Sequence, residues 1–245
     1  NAIRIVGEIK KLFDNSIDIP FSYIFSYPTV EKLSNAIYEI LNGCLKAGLT
    51  SKELEMEVKL DIDLKGKSVP IKKEVCLLTG ATGNLGNYLL KEILRQTNME
   101  IYCLIRAKSM EAAQDRLEGV LNKINMSLYE EARVHIVLGD LGEPNLGMDM
   151  DVYEKLAEKV DCIYHNGAKV HFLSDYYELK NINVNGTKEI IRFAGYKKIK
   201  AIFYISTISI FSKFRTNDNI IMENDDISDP GILPIGYTQS KWVAE

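Results

Sequence analysis

From Glu74 onward, apolar runs of strand length alternate with amphipathic runs of helix length. "EVCLLT" reads as a strand and "NLGNYLLKEILRQT" as the helix after it. "IYCLIR" is a second strand, Met110 to Ile124 a second helix, "VHIVLGD" a third strand and "CIYHNGA" a fourth. A helix follows from about Asn183 to Ala194, then a fifth strand, "AIFYIST", and a further helix opens at Tyr237. Strands joined through helices require crossover connections, so the pattern predicts a Rossmann-type α/β fold with a doubly wound parallel sheet.

The first strand runs into Gly80, Gly83 and Gly86. The glycine spacing alone is weak. Between a strand and a helix it predicts a phosphate-binding turn, in which Gly80 makes the bend, Gly83 admits a pyrophosphate and Gly86 lets helix and strand close up. The helix N-terminus then offers unpaired N–H groups to the anion. The second strand ends in Arg106 and Lys108 where an acidic residue would select NAD. Positive charge there suits a 2′-phosphate. Asp140, ending the third strand, is placed to accept from an adenine amino group.

"GYTQSKWVAE" sets Tyr237 and Lys241 four apart, on one face if helical. A neighbouring ammonium is expected to lower the phenol's pKa and help it exchange a proton near neutral pH. Lys241 is also placed to hold a nicotinamide ribose. Thr207, at the end of "YISTIS", offers a hydroxyl to the same substrate oxygen. By itself Y-x-x-x-K is common. After a glycine turn and a strand ending Ser-Thr it is specific.

Ahead of this body lies a helical front piece. Ile3, Ile5, Val6, Ile9 and Leu12 recur at helical spacing, and Pro20 and Pro28 punctuate the next stretch. Thr29 is a candidate N-cap for a helix from Val30 to about Leu41, closed by Gly43. Three segments result: 1–43, a charged linker at 44–73 with one short helix near Ser51 to Val58, and the α/β body at 74–245.

The bulk numbers exclude several classes. Thirty Lys and Arg against 34 Asp and Glu leave a formal net charge of −4, so no nucleic-acid partner is expected. No apolar run approaches the ~20 residues that span a bilayer, and a cytoplasmic, monomeric protein is expected. Cys44, Cys76, Cys103 and Cys162 are widely spaced and read as reduced, mostly buried thiols. His135, His165 and His171 have no ligand-spaced partners, so no metal is expected. The acidic run "MENDDISDP" reads as a solvated loop.

The segments "LLTGATGNLGNYLL", "IYCLIRAKSMEAAQDRL", "IYHNGAKVHF", "NVNGTKEIIRFA", "STISIF" and "GYTQSKWVAE" together resemble an extended short-chain dehydrogenase/reductase. More narrowly they resemble the thioester reductase domains that end nonribosomal peptide synthetases and carboxylic acid reductases, over Val75 to Glu245. The front piece, from "IRIVGEIKKLF" to "EKLSNAI", resembles the second half of an acyl or peptidyl carrier domain. A carrier followed by a reductase is the terminal arrangement of such synthetases.

The resemblance implies NADPH-dependent reduction of a phosphopantetheine-bound thioester to an aldehyde, with a second round giving an alcohol. By position it implies that Gly80, Thr82, Gly83, Asn84, Leu85 and Gly86 bind the pyrophosphate. Arg106 would bind the 2′-phosphate with Lys108 and Arg116 as helpers, Asp140 and Leu141 would edge the adenine, and Asn166, Gly167 and Ala168 would line the cofactor. Thr207, Tyr237 and Lys241 match the family's catalytic triad, and Asn183 the Asn of its N-V-x-G-T motif. The implied partners are upstream carrier and adenylation domains of the same synthetase. Asn84 departs from the family pattern, which usually has an aromatic there. The carrier's attachment Ser would precede Asn1, and relatives continue past Glu245 into a substrate domain. The chain is therefore expected to be a piece of a longer enzyme, with little activity alone. A reductase or epimerase acting on a free small molecule or acyl-CoA, and a non-catalytic dinucleotide-binding module, remain as alternatives.

Overall fold

The computed structural model describes residues 2–14, 16–17, 19, 23–42, 49–68, 73–127, 132–214, 221–222, 225–231, 233 and 235–245. Pro20, Gly43, Cys44, Pro70 and, within the acidic run, Glu223 and Asn224 lie outside the described residues. The chain packs as two compact units, Asn1–Lys59 with Val170–Lys180 and Ser206–Glu245, and Leu60–Lys169 with Asn181–Ile205.

The second unit is the α/β body. Its strands are β1 (Val75–Thr79), β2 (Glu100–Ile105), β3 (Val134–Leu138), β4 (Cys162–His165) and β5 (Ala201–Tyr204). They form one parallel sheet in the order β3-β2-β1-β4-β5. The expected doubly wound sheet is therefore present. Alternation along β1 divides the core: Cys76 and Leu78 pack on one face with Leu90 and Ile93 of α5 (Asn84–Gln96) and Ala113 and Leu117 of α6 (Met110–Leu121). Leu77 packs on the other with Tyr153 and Leu156 of α7 (Met150–Lys159) and Ile190 and Phe193 of α9 (Gly186–Ala194). Each such fully buried aliphatic side chain contributes about 1.5–3 kcal/mol. The strand order reverses between β1 and β4, where open α/β sheets bind ligands beyond the strand ends.

The stretch read as linker is partly built into this unit. Lys67 pairs with the 197–199 segment, donating to the Lys197 carbonyl at 3.0 Å and accepting from the Ile199 N–H at 3.0 Å. At the same end of the sheet Asp161 accepts from the N–H groups of Glu74 and Val75 and pairs with Lys198 at 2.7 Å.

The first unit carries α1 (Ala2–Leu12), α2 (Tyr23–Ser26), α3 (Val30–Leu41), α4 (Ser51–Glu57), α8 (Tyr176–Lys180) and α10 (Gly236–Ala244). Val6, Ile17, Ile19 and Ile37 form a small core of the front helices. The Thr29 hydroxyl caps α3 by accepting from the Lys32 N–H, as the sequence suggests. Thr50 and Glu53 form a reciprocal capping box on α4. The Glu57 carboxylate at its end takes Tyr176 Oη at 3.0 Å and Lys180 Nζ at 2.6 Å. Among the described residues no helix is long and apolar enough to cross a membrane.

Candidate active site

Gly80 follows β1 with φ +72°, a conformation that excludes most side chains. Its carbonyl accepts from the Gly83 N–H at 2.9 Å, which closes the turn, and α5 begins at Asn84. A β-carbon on Gly86 would stand 1.9 Å from the Gly80 oxygen, so only glycine lets the helix approach this closely. One on Gly83 would meet that oxygen only at 3.2 Å, and Gly83 and Asn84 are exposed. The first turn of α5 has no acidic residue and no side-chain cap. Its leading N–H groups are thus offered to an external anion, as a dinucleotide pyrophosphate requires. Asn87, on the same helix, keeps its Oδ1 buried without a hydrogen-bond partner among the described residues, an acceptor open to a donor and not to the anion.

Beyond β4, Asn166 Nδ2 donates to the Gly80 carbonyl at 3.2 Å, and the Gly167 N–H donates to Thr79 Oγ1 at 2.8 Å. A β-carbon on Gly167 would come within 2.7 Å of Leu141 Cδ1 and 2.9 Å of Thr79 Oγ1, so a side chain there would displace both. Ala168 follows, half-buried. Asn183, which the resemblance groups with the catalytic residues, belongs to the second unit with Asn166, Gly167 and Ala168, whereas Thr207, Tyr237 and Lys241 belong to the first. Asn183 lies in a π-turn, Asn181–Asn185, and its carboxamide brackets Lys169, accepting from the N–H at 2.7 Å and donating to the carbonyl at 3.1 Å.

At the end of β2, Arg106 is largely exposed and Lys108 is exposed. Arg116 Nη1 donates to the Arg106 carbonyl at 2.9 Å and so braces the strand end. Asp140 Oδ1 accepts from the Gly142 N–H at 3.0 Å, while Oδ2 stands 3.8 Å from Arg106 Nη1. Asp140 thus shapes its own turn and partly neutralises Arg106, contacts that the reading of it as an adenine acceptor did not anticipate.

Thr207, Tyr237 and Lys241 belong to the first unit. Tyr237 and Lys241 lie one turn apart on α10, whose residues from Thr238 to Val243 are all buried. Gly236 opens the helix where a β-carbon would strike the Asp175 backbone at 2.4 Å. Trp242 Nε1 donates to the Ile227 carbonyl at 2.7 Å and fixes the helix rotation. The Tyr237 ring stands edge-on to Phe172, 5.5 Å away. Thr207 is half-buried, its Oγ1 accepting from the Ser209 N–H.

The expected depression of the Tyr237 phenol is not what the structure shows. Burial raises its pKa. Burial also lowers the Lys241 ammonium to about 8, with Glu245 pulling the other way. Both groups are set by desolvation, which no sequence spacing reveals. Burial likewise pushes the Cys103 thiol to about 12 and Cys162 to about 11, so they are inert packing.

Sequence reasoning passed over Thr79 and Thr187 and weighed His165 only as a metal ligand. The local signals are the polar residues ending β1 and β4, Thr79 and His165, while Thr187 lies within α9.

The chain is 40% identical over 244 residues to a linear gramicidin synthase subunit of Brevibacillus parabrevis, covering 94% of this chain and 5% of that protein. It is similar to the solved terminal R domain from the myxalamid PKS-NRPS biosynthetic pathway, at 38% identity and a TM-score of 0.72, covering 79% of this chain and 50% of that one. It shares a fold with a thiolation-reductase di-domain from an archaeal non-ribosomal peptide synthetase, at 22% identity and a TM-score of 0.59, covering 100% of this chain and 52% of that one. The chain thus spans about half or less of the length of each. Residues 78–245, more than half of the chain and including both the glycine turn and the Tyr237–Lys241 helix, match the NAD-binding family described as "Male sterility protein", and the chain belongs to that family.

Proposed function

We propose that the protein containing this chain releases an acyl or peptidyl chain from a carrier by NADPH-dependent reduction of its thioester to an aldehyde, with a further round giving an alcohol. The observation that carries this reading is the pairing of a glycine turn at the switch point of the parallel sheet with a buried Tyr-x-x-x-Lys helix in one chain. Its similarity to a peptide synthase subunit and to an R domain of a synthetase pathway supports the substrate class.

In this reading the N–H groups opening α5 hold the pyrophosphate, with Gly80, Thr82, Gly83, Asn84, Leu85 and Gly86 forming the turn. Arg106 grips the 2′-phosphate, assisted by Lys108, while Arg116 holds the strand end in place. Asp140 and Leu141 edge the adenine, and Asn166, Gly167 and Ala168 line the crevice. Bound NADPH supplies a hydride. Thr207 and Tyr237 donate hydrogen bonds to the thioester oxygen as negative charge builds on it. Tyr237 delivers the proton, and the buried Lys241 ammonium supplies positive charge and a ribose contact. Residues 1–43 serve as the second half of the carrier domain, residues 44–73 join it to the reductase, and an adenylation domain lies upstream. The working protein is monomeric and cytoplasmic.

Product analysis tests the reading. Full-length protein with an acyl thioester on its carrier should yield aldehyde or alcohol plus free thiol when NADPH is added. Release as the carboxylic acid, or no release, would overturn it.

A further inference from the structure

His165 ends β4 and is 1% exposed. Its ring joins two threonines: Nδ1 lies 2.8 Å from Thr79 Oγ1 and Nε2 lies 3.1 Å from Thr187 Oγ1. Proton counting orders this chain. Thr187 has one hydroxyl proton, and it is donated to the Asn183 carbonyl at 2.6 Å. Toward His165 Thr187 can therefore only accept, so Nε2 carries a hydrogen. Thr79 Oγ1 already accepts from the Gly167 N–H. Its own proton is available to a bare Nδ1, which gives a neutral ring in the Nε2–H form with each hydroxyl serving once as donor.

Both ends of this chain reach the segment that follows β4. Thr79 holds the N–H of Gly167, and Asn183, whose carbonyl ends the chain, holds both backbone groups of Lys169. Between them Asn166 reaches the Gly80 carbonyl of the glycine turn. The 166–169 backbone is therefore anchored at both ends through one imidazole, which also ties β1 and β4 to the π-turn.

We infer that His165 is a positioning residue for the dinucleotide. Locked in the Nε2–H tautomer between Thr79 and Thr187, it sets the 166–169 backbone against the glycine turn. The inference rests on the dinucleotide reading above and adds to it a residue that touches no cofactor.

Two measurements on this chain test it. Nitrogen-15 histidine spectra should show one imidazole fixed as the neutral Nε2–H form, its resonance assigned by its loss in His165→Gln. Thr187→Val deletes the acceptor and should disturb that resonance. It should also weaken NADPH binding about three- to tenfold, the worth of one hydrogen bond. Thr187→Ser, which restores the hydroxyl, should recover both. A His165 ring that carries a hydrogen on Nδ1 would overturn the inference. So would a folded Thr187→Val variant with unchanged affinity. Wild-type chain that shows the Nε2–H ring yet binds neither NADPH nor NADH would overturn the dinucleotide reading, and the positioning role with it.

Discussion

Gly86 lies so close to Gly80 that a β-carbon on Gly86 would stand 1.9 Å from the Gly80 carbonyl oxygen. Gly83, three residues earlier, leaves 3.2 Å to the same oxygen. The two glycines therefore do different work: one closes the helix onto the strand, and the other leaves room for a ligand. Gly86→Ala should destabilise the fold by about 1–3 kcal/mol, the usual cost of overpacking. Gly83→Ala, whose β-carbon is tight against that oxygen but needs only a few tenths of an ångström of movement, should lower the thermal midpoint less than Gly86→Ala and weaken NADPH binding. Thermal melts and cofactor titrations on both variants check the split.

Arg106 discriminates the cofactors in this account. A charge-assisted contact to a 2′-phosphate is worth roughly 1.5–3 kcal/mol, or about ten- to a hundredfold in affinity. Arg106→Ala should weaken NADPH binding by about that factor and leave NADH nearly untouched. Calorimetric titration of both cofactors decides it. Equal losses for the two would make Arg106 a surface charge paired with Asp140 and nothing more.

Tyr237→Phe keeps the ring against Phe172 and removes the proton. In the full-length enzyme turnover should fall roughly a hundredfold or more, with NADPH affinity near normal. Lys241 gives this step a pH dependence. Its ammonium titrates near 8, so it is charged below that pH and neutral above it. Turnover should decline as pH rises through about 8. Whatever activity Lys241→Arg retains should lack that decline, because a guanidinium stays charged. A pH–rate profile of both proteins checks the sign.

Lys200 is 4% exposed and donates to the carbonyls of Phe193, Tyr196 and Lys198 at 3.1, 2.7 and 2.8 Å. It thereby satisfies the end of α9 and the turn after it. Lys200→Met preserves the stem but strands those carbonyls, and should cost about 1.5–3 kcal/mol in urea unfolding.

Much of this was legible in the sequence because it is local. The five strands are short apolar runs, and the turn that positions α5 is written in three glycines. Three helices are not marked in the sequence, α2, α7 and α8, and α2 has only four residues. The apolar side of α7 is only Tyr153, Leu156 and Ala157 among charged neighbours, and α8 has five residues. The pairings that shape the site join residues far apart in sequence. His165 meets Thr79 across 86 positions and Thr187 across 22. Arg106 faces Asp140 only because β2 and β3 are adjacent in register. The protonation of Tyr237 and Lys241 follows from burial, which depends on the whole of the surrounding packing rather than on their spacing of four.

The central claim is that the substrate arrives as a thioester on a carrier. The most direct measurement follows NADPH oxidation by the full-length protein, comparing one acyl chain loaded on the upstream carrier with the same chain as a free coenzyme A thioester. The account predicts rapid oxidation of one or two equivalents of NADPH per loaded carrier, and slow turnover of the free thioester. Equal or faster turnover of the free thioester, or no oxidation with the loaded carrier, would contradict it.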